Sequence, residues 1–267
     1  MIKQFNTQLL QSIVVCCAYL ILASCSPPLS AVIAERLIPH IVAKLPHELP
    51  AFTQGLAVEG DQLYESTGLY GQSSVRRLDI LTGQVKQKQD LPSHFFAEGL
   101  AVFHNRIFQI TWREQKAFLY DRQSFEVLKV LPYIGEGWGL CRDGQTVWMS
   151  NGTDRLVQRD SQTFDIVRTV DVHQGNRQIY FLNDLECDGT HLYANIYQTY
   201  WIVRIDKANG EVTGIIDASH LLSPEEYASL GTEDVLNGIA FRPQTGTFFL
   251  TGKGWPWIFE VRLQTAK

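Results

Sequence analysis

A short motif around Glu98 has the residue types for acid–base chemistry. Glu98 stands between the aromatic Phe96 and a glycine-tight turn at Gly99, just before the apolar segment 101–103. Apolar, aromatic surroundings raise the pKa of a carboxyl group, which would suit Glu98 to general acid or base catalysis. The alternative is a structural carboxylate that caps backbone N–H groups of the turn.

Versions of this motif recur along the chain, and they differ in their polar residue. They are Phe52-Thr53-Gln54-Gly55-Leu56, Gly137-Trp138-Gly139-Leu140, Leu182-Asn183-Asp184-Leu185-Glu186 and Leu236-Asn237-Gly238-Ile239. A repeated scaffold that varies one polar position predicts several loops converging on one site. In such a site Gln54 and Asn183 could orient a substrate amide.

Lys253 and a group of aromatic residues lie near the same predicted turns. Glycines flank Lys253, and this setting indicates a lysine that stabilises negative charge, although a surface ion pair is equally compatible with the sequence. The aromatic residues are Phe52, Phe96, Trp112, Trp138, Tyr197, Tyr200, Trp201 and Trp255. Any single one is explained more simply as core, but the set predicts a ligand pocket.

Several other classes of site are disfavoured by the sequence. A formal net charge of −5 without a cluster of Lys or Arg argues against nucleic-acid binding. Zinc patterns, a Gly-x-Ser-x-Gly motif, a P-loop and a dinucleotide fingerprint are all missing from the sequence. Asp184 and Glu186 are interpreted as structural, with a Ca²⁺ site near the axis of the fold as the alternative.

The elements that must position these residues form a repeat. Gly55, Gly99, Gly139, Asp184 and Gly238 mark equivalent turns, roughly 40 to 54 residues apart, which is typical of propeller blades. Each repeat contains an apolar strand, a polar turn, an aromatic-rich strand and a third strand that ends in an acidic residue. These acidic residues are Asp79, Asp121, Asp160, Asp206 and Glu260.

The two ends of the repeat region complement each other. The fifth repeat ends soon after its third strand, whereas a surplus strand-like segment, 41–46, precedes the first repeat. We therefore predict an all-β fold, a single five-bladed β-propeller domain at residues 37–267, closed by the N-terminal strand in the last blade. An insertion at 218–234 is expected to hold a short helix at 224–227.

The first residues read as a targeting signal. Lys3 precedes an apolar stretch at 13–22, and Leu22-Ala23-Ser24-Cys25 is similar to a bacterial lipoprotein signal, with a plain secretory signal as the alternative. We predict a signal peptide at 1–24 and an extended tether at 25–36. A lipid on Cys25 would anchor the protein to the outer membrane, on the periplasmic side of the envelope.

Two cysteines, Cys141 and Cys187, occupy similar places in neighbouring repeats. An oxidising compartment would allow them to form a disulfide, while two free, buried thiols fit the sequence equally well.

Taken together, the motifs resemble the propeller-type glutaminyl-peptide cyclotransferases of plants and bacteria. The matching stretches are Phe52-Thr53-Gln54-Gly55-Leu56, Tyr64-Glu65-Ser66-Thr67-Gly68-Leu69-Tyr70-Gly71, Phe96-Ala97-Glu98-Gly99-Leu100, Thr111-Trp112, Gly137-Trp138-Gly139-Leu140, Leu182-Asn183-Asp184-Leu185-Glu186 and Leu250-Thr251-Gly252-Lys253. The resemblance implies that an N-terminal glutamine of a peptide or protein is converted to pyroglutamate with release of ammonia. It implies no metal for catalysis, and we expect a monomer.

The resemblance also implies roles for individual residues. Glu98 would shuttle the proton, Lys253 and Asn183 would stabilise the oxyanion or orient the amide, and Gln54 would bind polar groups of the substrate. The pocket walls would be Phe52, Phe96, Trp112 and Trp138. Tyr197 stands where relatives have Trp in Asn-x-Trp-Gln-Thr, which puts the pocket shape in doubt. Trp201 lies nearby in the sequence, and we expect it to compensate as a further substrate-binding residue.

Two other functions are compatible with a propeller. One is a lipid-anchored binding module without catalysis, which would tolerate Glu98→Gln. The other is a lactonase or a sugar-acting hydrolase, which would need an axial metal. The combination of Glu98, Asn183 and Lys253 argues against both.

Overall fold

Antiparallel sheets dominate the computed structural model, which describes residues 33–266. The chain begins with β1 (Glu35–Pro46) and continues into three four-stranded sheets. The first contains β2 (Thr53–Glu59), β3 (Gln62–Thr67), β4 (Ser74–Asp79) and β5 (Val85–Asp90). The second contains β6 (Ala97–Val102), β7 (Arg106–Thr111), β8 (Lys116–Asp121) and β9 (Val127–Pro132). The third contains β10 (Leu140–Asp143), β11 (Thr146–Met149), β12 (Arg155–Asp160) and β13 (Ile166–Asp171).

The second half of the chain contains a small hairpin, one helix and a larger sheet. The elements are β14 (His173–Gln174), β15 (Arg177–Gln178), β16 (Leu182–Cys187), β17 (His191–Ile196), β18 (Trp201–Asp206), β19 (Val212–Asp217), α1 (Pro224–Ala228), β20 (Leu236–Arg242), β21 (Thr247–Gly252) and β22 (Trp257–Thr265). Strands β16 to β19, β1 and β20 to β22 form one sheet in the order β16-β17-β18-β19-β1-β22-β21-β20.

The first strands of the repeats contact one another in cyclic order. β2 contacts β6, β6 contacts β10, β10 contacts β16, β16 contacts β20, and β20 contacts β2. This all-β arrangement is consistent with a β-propeller.

The motif glycines are explained by how closely these strands approach. A Cβ atom on Gly99 would lie 2.5 Å from the backbone N of Leu140, and one on Gly139 would lie 2.1 Å from the backbone O of Asn183. Neither distance is compatible with a larger side chain. The glycines therefore allow neighbouring strands to meet, and the residues beside them are brought to the same place.

The acidic residues at the ends of the third strands act as turn caps in four repeats. Their Oδ1 atoms accept backbone N–H groups two residues farther along the chain, in Asp79, Asp121, Asp160 and Asp206. Glu260 behaves differently, since its Oε1 accepts from the Thr247 hydroxyl at 2.7 Å and from Arg242 at 3.3 Å. In these four repeats the aspartate thus terminates a strand and tightens the following turn, whereas Glu260 lies within β22.

The N-terminal strand closes against the C-terminal strand, as the sequence predicts. β1 pairs antiparallel with β22, from Leu37 opposite Thr265 to Pro46 opposite Trp257. The predicted tether boundary needs correction, because Glu35 and Arg36 already pair with β19. A carboxylate oxygen of Glu35 also accepts from Arg204 at 3.0 Å, and these contacts move the start of the folded domain before residue 37.

The insertion contains the expected short helix. Ser223 caps the N-terminus of α1, and Glu226 completes a capping box by accepting the Ser223 N–H. Glu226 also accepts from Lys44 Nζ at 2.8 Å and from Trp257 Nε1 at 2.7 Å. These bonds attach the insertion to β1 and β22.

A disulfide joins Cys141 in β10 to Cys187 in β16, with a Cα–Cα distance of 5.7 Å. The alternative of two free thiols is therefore wrong. The predicted signal peptide, lipid-modified Cys25 and most of the tether lie outside the described residues. Within residues 33–266, no helix is long and apolar enough to cross a membrane.

Candidate functional site

The motif residues surround one cavity of about 340 Å³. The cavity is lined by Phe52, Gln54, Leu69, Phe96, Glu98, Trp112, Trp138, Asn183, Tyr197, Glu233 and Lys253. Most of them lie at or just before the first strand of a repeat, as the sequence analysis predicted. The cavity therefore forms where the repeated turns converge.

Glu98 is the second residue of β6 and is only 5% exposed. Burial raises the pKa of its carboxyl group well above the usual range, and the charges of Asp184 and Glu136 add to this, while Lys253 opposes it. Its carboxylate accepts a weak hydrogen bond from Gln54 Nε2 at 3.4 Å. A carboxyl group in this setting holds its proton more tightly than an exposed one, which suits it to acid–base chemistry, whereas a turn cap would face backbone N–H groups.

A hydrogen-bonded chain fixes the orientation of the Gln54 side chain. Gln54 Oε1 accepts from Asn237 Nδ2 at 3.3 Å, and the same nitrogen donates to the backbone O of Thr53 at 3.0 Å. The Gln54 amide nitrogen is consequently directed towards Glu98. Asn237 thus acts as a positioning residue for the polar wall of the cavity.

Lys253 directly follows β21 and is 4% exposed. Its Nζ lies 4.9 Å from the ring centroids of both Phe52 and Tyr197. Burial lowers the pKa of the Lys253 ammonium, and the charges of Glu98 and Glu233 oppose this. The alternative of a surface ion pair is wrong, because the ammonium is buried beside aromatic faces in the cavity.

Asn183 lies in β16 and is 2% exposed. Its backbone O accepts from the Ser150 hydroxyl at 2.7 Å, which fixes the strand at this point. Within the described part of the chain, its side-chain Oδ1 is buried without a hydrogen-bond partner. Because an unpaired buried carbonyl is costly, this atom is suited to accept a hydrogen bond from a bound ligand.

The aromatic walls are braced by a carboxylate that the sequence analysis did not single out. Trp112 Nε1 and Trp138 Nε1 both donate to Glu136 Oε2, at 2.9 Å and 3.1 Å. The Phe96 ring packs edge-on against Trp112 with a centroid distance of 5.6 Å. A clue was present in the sequence, since Glu136 stands between Gly135 and Gly137, two residues before Trp138.

Tyr197 contributes both a ring and a hydroxyl group. Its ring lies edge-on to Trp138 with a centroid distance of 5.5 Å, so the aromatic wall is kept. Its hydroxyl donates to Glu233 Oε2 at 3.1 Å. Glu233 was missed because it lies in the insertion and belongs to no repeated motif.

Trp201 is not part of this cavity, which corrects the sequence prediction. It is the first residue of β18, pairs with Asp217 of β19 and is 54% exposed. The next residue, Ile202, is buried. Alternation along the strand therefore directs Trp201 away from the core, and it lines a separate cleft with residues of β1 and β19.

Asp184 and Glu186, the two acidic residues of the alternative Ca²⁺ site, accept hydrogen bonds from backbone N–H groups. Asp184 Oδ2 accepts the N–H groups of Leu56 at 3.2 Å and Ile239 at 3.0 Å. Glu186 Oε2 accepts the N–H of Phe241 at 2.9 Å. Residues 33–266 contain no cluster of three or more His, Cys, Asp or Glu side chains arranged to bind a metal. These contacts favour the structural interpretation, and the Ca²⁺ site stays a prediction.

Comparisons with known proteins agree on one family. The family model described as "Glutamine cyclotransferase" matches residues 14–263. A glutaminyl-peptide cyclotransferase of Arabidopsis thaliana is 37% identical over 229 residues, which cover 85% of this chain and 72% of the relative. The crystal structure of Myxococcus xanthus glutaminyl cyclase superposes with a TM-score of 0.82 at 36% identity, covering 88% of this chain and all of that one. The chain therefore belongs to the glutamine cyclotransferase family.

Proposed function

We infer that this protein is a glutaminyl-peptide cyclotransferase, which converts an N-terminal glutamine to pyroglutamate and releases ammonia. The observation that carries this function is the position of Glu98, whose buried carboxyl lies in an aromatic cavity together with Gln54, Asn183 and Lys253. Family membership and the names of the two relatives support the same activity.

The reaction needs no external nucleophile. The substrate's own α-amine attacks the carbonyl carbon of its side-chain amide, and a ring C–N bond forms. A proton leaves the amine, another is delivered to the amide nitrogen, and the bond to that nitrogen breaks to release ammonia. Holding glutamine in a bent conformation supplies most of the required proximity.

Glu98 is the residue that moves the proton. Its carboxylate form accepts a proton from the attacking amine, and the resulting carboxyl group donates it to the departing nitrogen. Burial raises the pKa of Glu98, so its carboxylate is a stronger proton acceptor than that of an exposed Glu, which favours a shuttle of this kind. Proton balance is thereby restored within one turnover.

The other polar residues bind and stabilise the reacting amide. Lys253 places positive charge in the cavity, where it would stabilise the oxyanion of the tetrahedral intermediate. Asn183 offers the unpaired Oδ1 to an N–H group of the substrate. Gln54 is fixed by Asn237, so that its amide can bind the substrate beside Glu98.

The aromatic walls would exclude water from the reacting carbon. Water attack would give glutamate, whereas the bound α-amine gives the ring. Trp112 and Trp138 are held by one carboxylate oxygen of Glu136, so that the wall is pre-formed. Such pre-organisation favours cyclisation over hydrolysis.

Ammonia release from a short peptide with N-terminal glutamine tests the proposed activity. After exhaustive chelation of metal ions, the full chain is expected to release one ammonia per peptide. The mass of the peptide should fall by the mass of one ammonia molecule. Turnover after chelation would also support the proposal that catalysis needs no metal. A folded sample that releases no ammonia would contradict the proposed function.

The finer fold assignment is a five-bladed propeller. It is supported by the cyclic contacts among β2, β6, β10, β16 and β20. The eight-stranded sheet would then be two blades, joined by a short parallel pairing between β1 and β19. An experimental structure with a different number of blades would contradict this assignment.

We also propose that the protein is anchored by a lipid on Cys25 at the periplasmic side of the outer membrane. The sequence Leu22-Ala23-Ser24-Cys25 supports this, and the Cys141–Cys187 disulfide fits an oxidising compartment. The Cys25→Ala variant is expected to lose partitioning into detergent. Unchanged partitioning of that variant would overturn the anchor.

A further inference from the structure

We propose that Glu233 determines substrate specificity, by favouring peptides whose second residue is cationic over those whose second residue is acidic. The proposal rests on the proposed function and concerns the residue that follows the reacting glutamine. It assigns a role to the insertion between β19 and β20, which contributes Glu233 to the cavity.

The insertion is fixed to the site at the point where it carries Glu233. Lys253 donates its backbone N–H to the backbone O of Val235 at 2.9 Å. The indole Nε1 of Trp255 donates to the backbone O of Asp234 at 3.2 Å. Glu233 is therefore held at the cavity by its neighbours in sequence, while its own side chain is exposed to solvent.

Tyr197 then orients the carboxylate of Glu233. The tyrosine hydroxyl donates to Glu233 Oε2 at 3.1 Å. The tyrosine backbone N–H donates to the Phe181 backbone O at 2.9 Å, and its ring packs on Trp138. The hydroxyl that distinguishes Tyr197 from the Trp of relatives thus has a partner, and that partner faces the cavity.

Acidic side chains prevail around the exposed part of the cavity lining. Glu233 lines the cavity, and Glu114 and Glu136 hydrogen-bond to residues of its aromatic wall. The nearby cation Arg113 is engaged, since its Nε bonds Glu136 at 3.1 Å and its guanidinium lies 3.7 Å from a ring centroid of Trp112. Lys253, which also lines the cavity, is buried rather than exposed.

The direction of the bound peptide follows from the buried polar groups. Within the described residues, Asn183 Oδ1 is unpartnered, is almost fully buried and belongs to the same cavity. This atom and Glu98 would hold the N-terminal glutamine inside. The rest of the peptide must then leave past the exposed part of the lining, where Glu233 is the acidic residue in the cavity wall.

A carboxylate at that position acts on the charge of the second residue. It attracts the side chain of Lys or Arg and repels that of Asp or Glu. The interaction is electrostatic, and the Glu233 side chain is exposed to solvent. The preference should therefore weaken as the salt concentration rises.

The test compares three C-terminally amidated peptides that begin Gln-Lys, Gln-Ala and Gln-Glu. For the wild type, we expect kcat/KM for Gln-Lys to exceed that for Gln-Glu by about threefold to tenfold at low salt, the scale of an exposed charge interaction. Glu233→Gln should bring this ratio close to one. Tyr197→Phe, which removes only the hydroxyl, should give an intermediate ratio.

Glu126→Gln is the matched control, because Glu126 is exposed and does not line the cavity. This variant should keep the wild-type ratio. A wild-type ratio of one, or a ratio that Glu233→Gln leaves unchanged, would overturn the specificity proposal. Release of no ammonia from any of the three peptides would instead contradict the proposed function itself.

Discussion

At the scale of single residues, Glu98 and Lys253 line one cavity, and the charge of each acts on the other. Burial acts on both, raising the pKa of the carboxyl and lowering that of the ammonium, while each charge moderates the shift of the other. The nearby carboxylates add to this balance. Their removal should therefore change the pH dependence of the reaction in a direction that can be stated in advance.

Glu114→Gln is expected to move the acidic limb of the pH–activity profile to lower pH. The charge of Glu114 helps to raise the pKa of Glu98, so its removal lowers that pKa. Because the reaction begins from the Glu98 carboxylate, activity is lost as the pH falls through this raised pKa. The measurement is kcat/KM as a function of pH with a Gln-Ala peptide amide.

Two controls separate this effect from others. The limb that arises from the α-amine of the substrate is common to both enzymes, and the exposed Glu126→Gln should leave the profile unchanged. In the wild type, the limb should lie clearly above the ordinary carboxyl pKa of 4.5. A limb that stays in place or moves to higher pH in Glu114→Gln would contradict this role.

Most of the residues at the site could be identified from the sequence because they belong to repeated turns. Gln54 and Glu98 each directly precede a glycine that the close approach of the strands requires. Asn183 occupies the equivalent turn, and its backbone lies against Gly139. Glu233 offered no such pattern, since it lies in an insertion that only one repeat contains. Trp201 was misplaced because its position depends on strand register, which places it on the exposed face of β18.

At the scale of elements, the strands β10 and β16 carry two sides of the cavity and are joined covalently. Trp138 precedes β10 and Asn183 lies in β16. The Cys141–Cys187 bond links the two strands a few residues farther along each chain segment. The sequence placed both cysteines in equivalent positions but left their pairing open. Pairing depends on the distance between strands, which the close approach at Gly139 determines.

The double variant Cys141→Ala/Cys187→Ala should be less stable than the wild type. The bond closes a loop with a sequence separation of 46, and a cross-link of this size restricts the unfolded chain. The expected loss in the free energy of unfolding is about 2–4 kcal/mol, measured by chemical denaturation. Reductant should lower the stability of the wild type and leave that of the variant unchanged. Equal stability of the oxidised wild type and the variant would contradict this contribution.

At the scale of the whole domain, the first and last strands hold the sheet together. β1 lies between β19 and β22 and pairs with both. It buries Leu37 and Leu45 in two different core clusters. The surplus segment at the start of the repeats was sufficient to predict this closure. The exact start of the strand was not predictable, since it depends on the contacts of Glu35 with Arg204 and Thr265.

Removal of β1 should abolish cooperative folding. A chain that begins at residue 47 leaves the edges of β19 and β22 unpaired and the two core clusters incomplete. We expect it to lack a sharp thermal transition in circular dichroism, whereas a chain that begins at residue 33 should retain one. A cooperative transition of similar midpoint in both chains would show that β1 is dispensable.

The central claim is that Glu98 transfers the proton during cyclisation, and the turnover of Glu98→Gln tests it most directly. The substitution keeps size and hydrogen-bonding capacity but removes acid–base function, so the thermal midpoint should match that of the wild type. The account predicts a fall in kcat for a Gln-Ala peptide amide of about a hundredfold or more. Turnover by a folded Glu98→Gln variant at a rate near that of the wild type would contradict it.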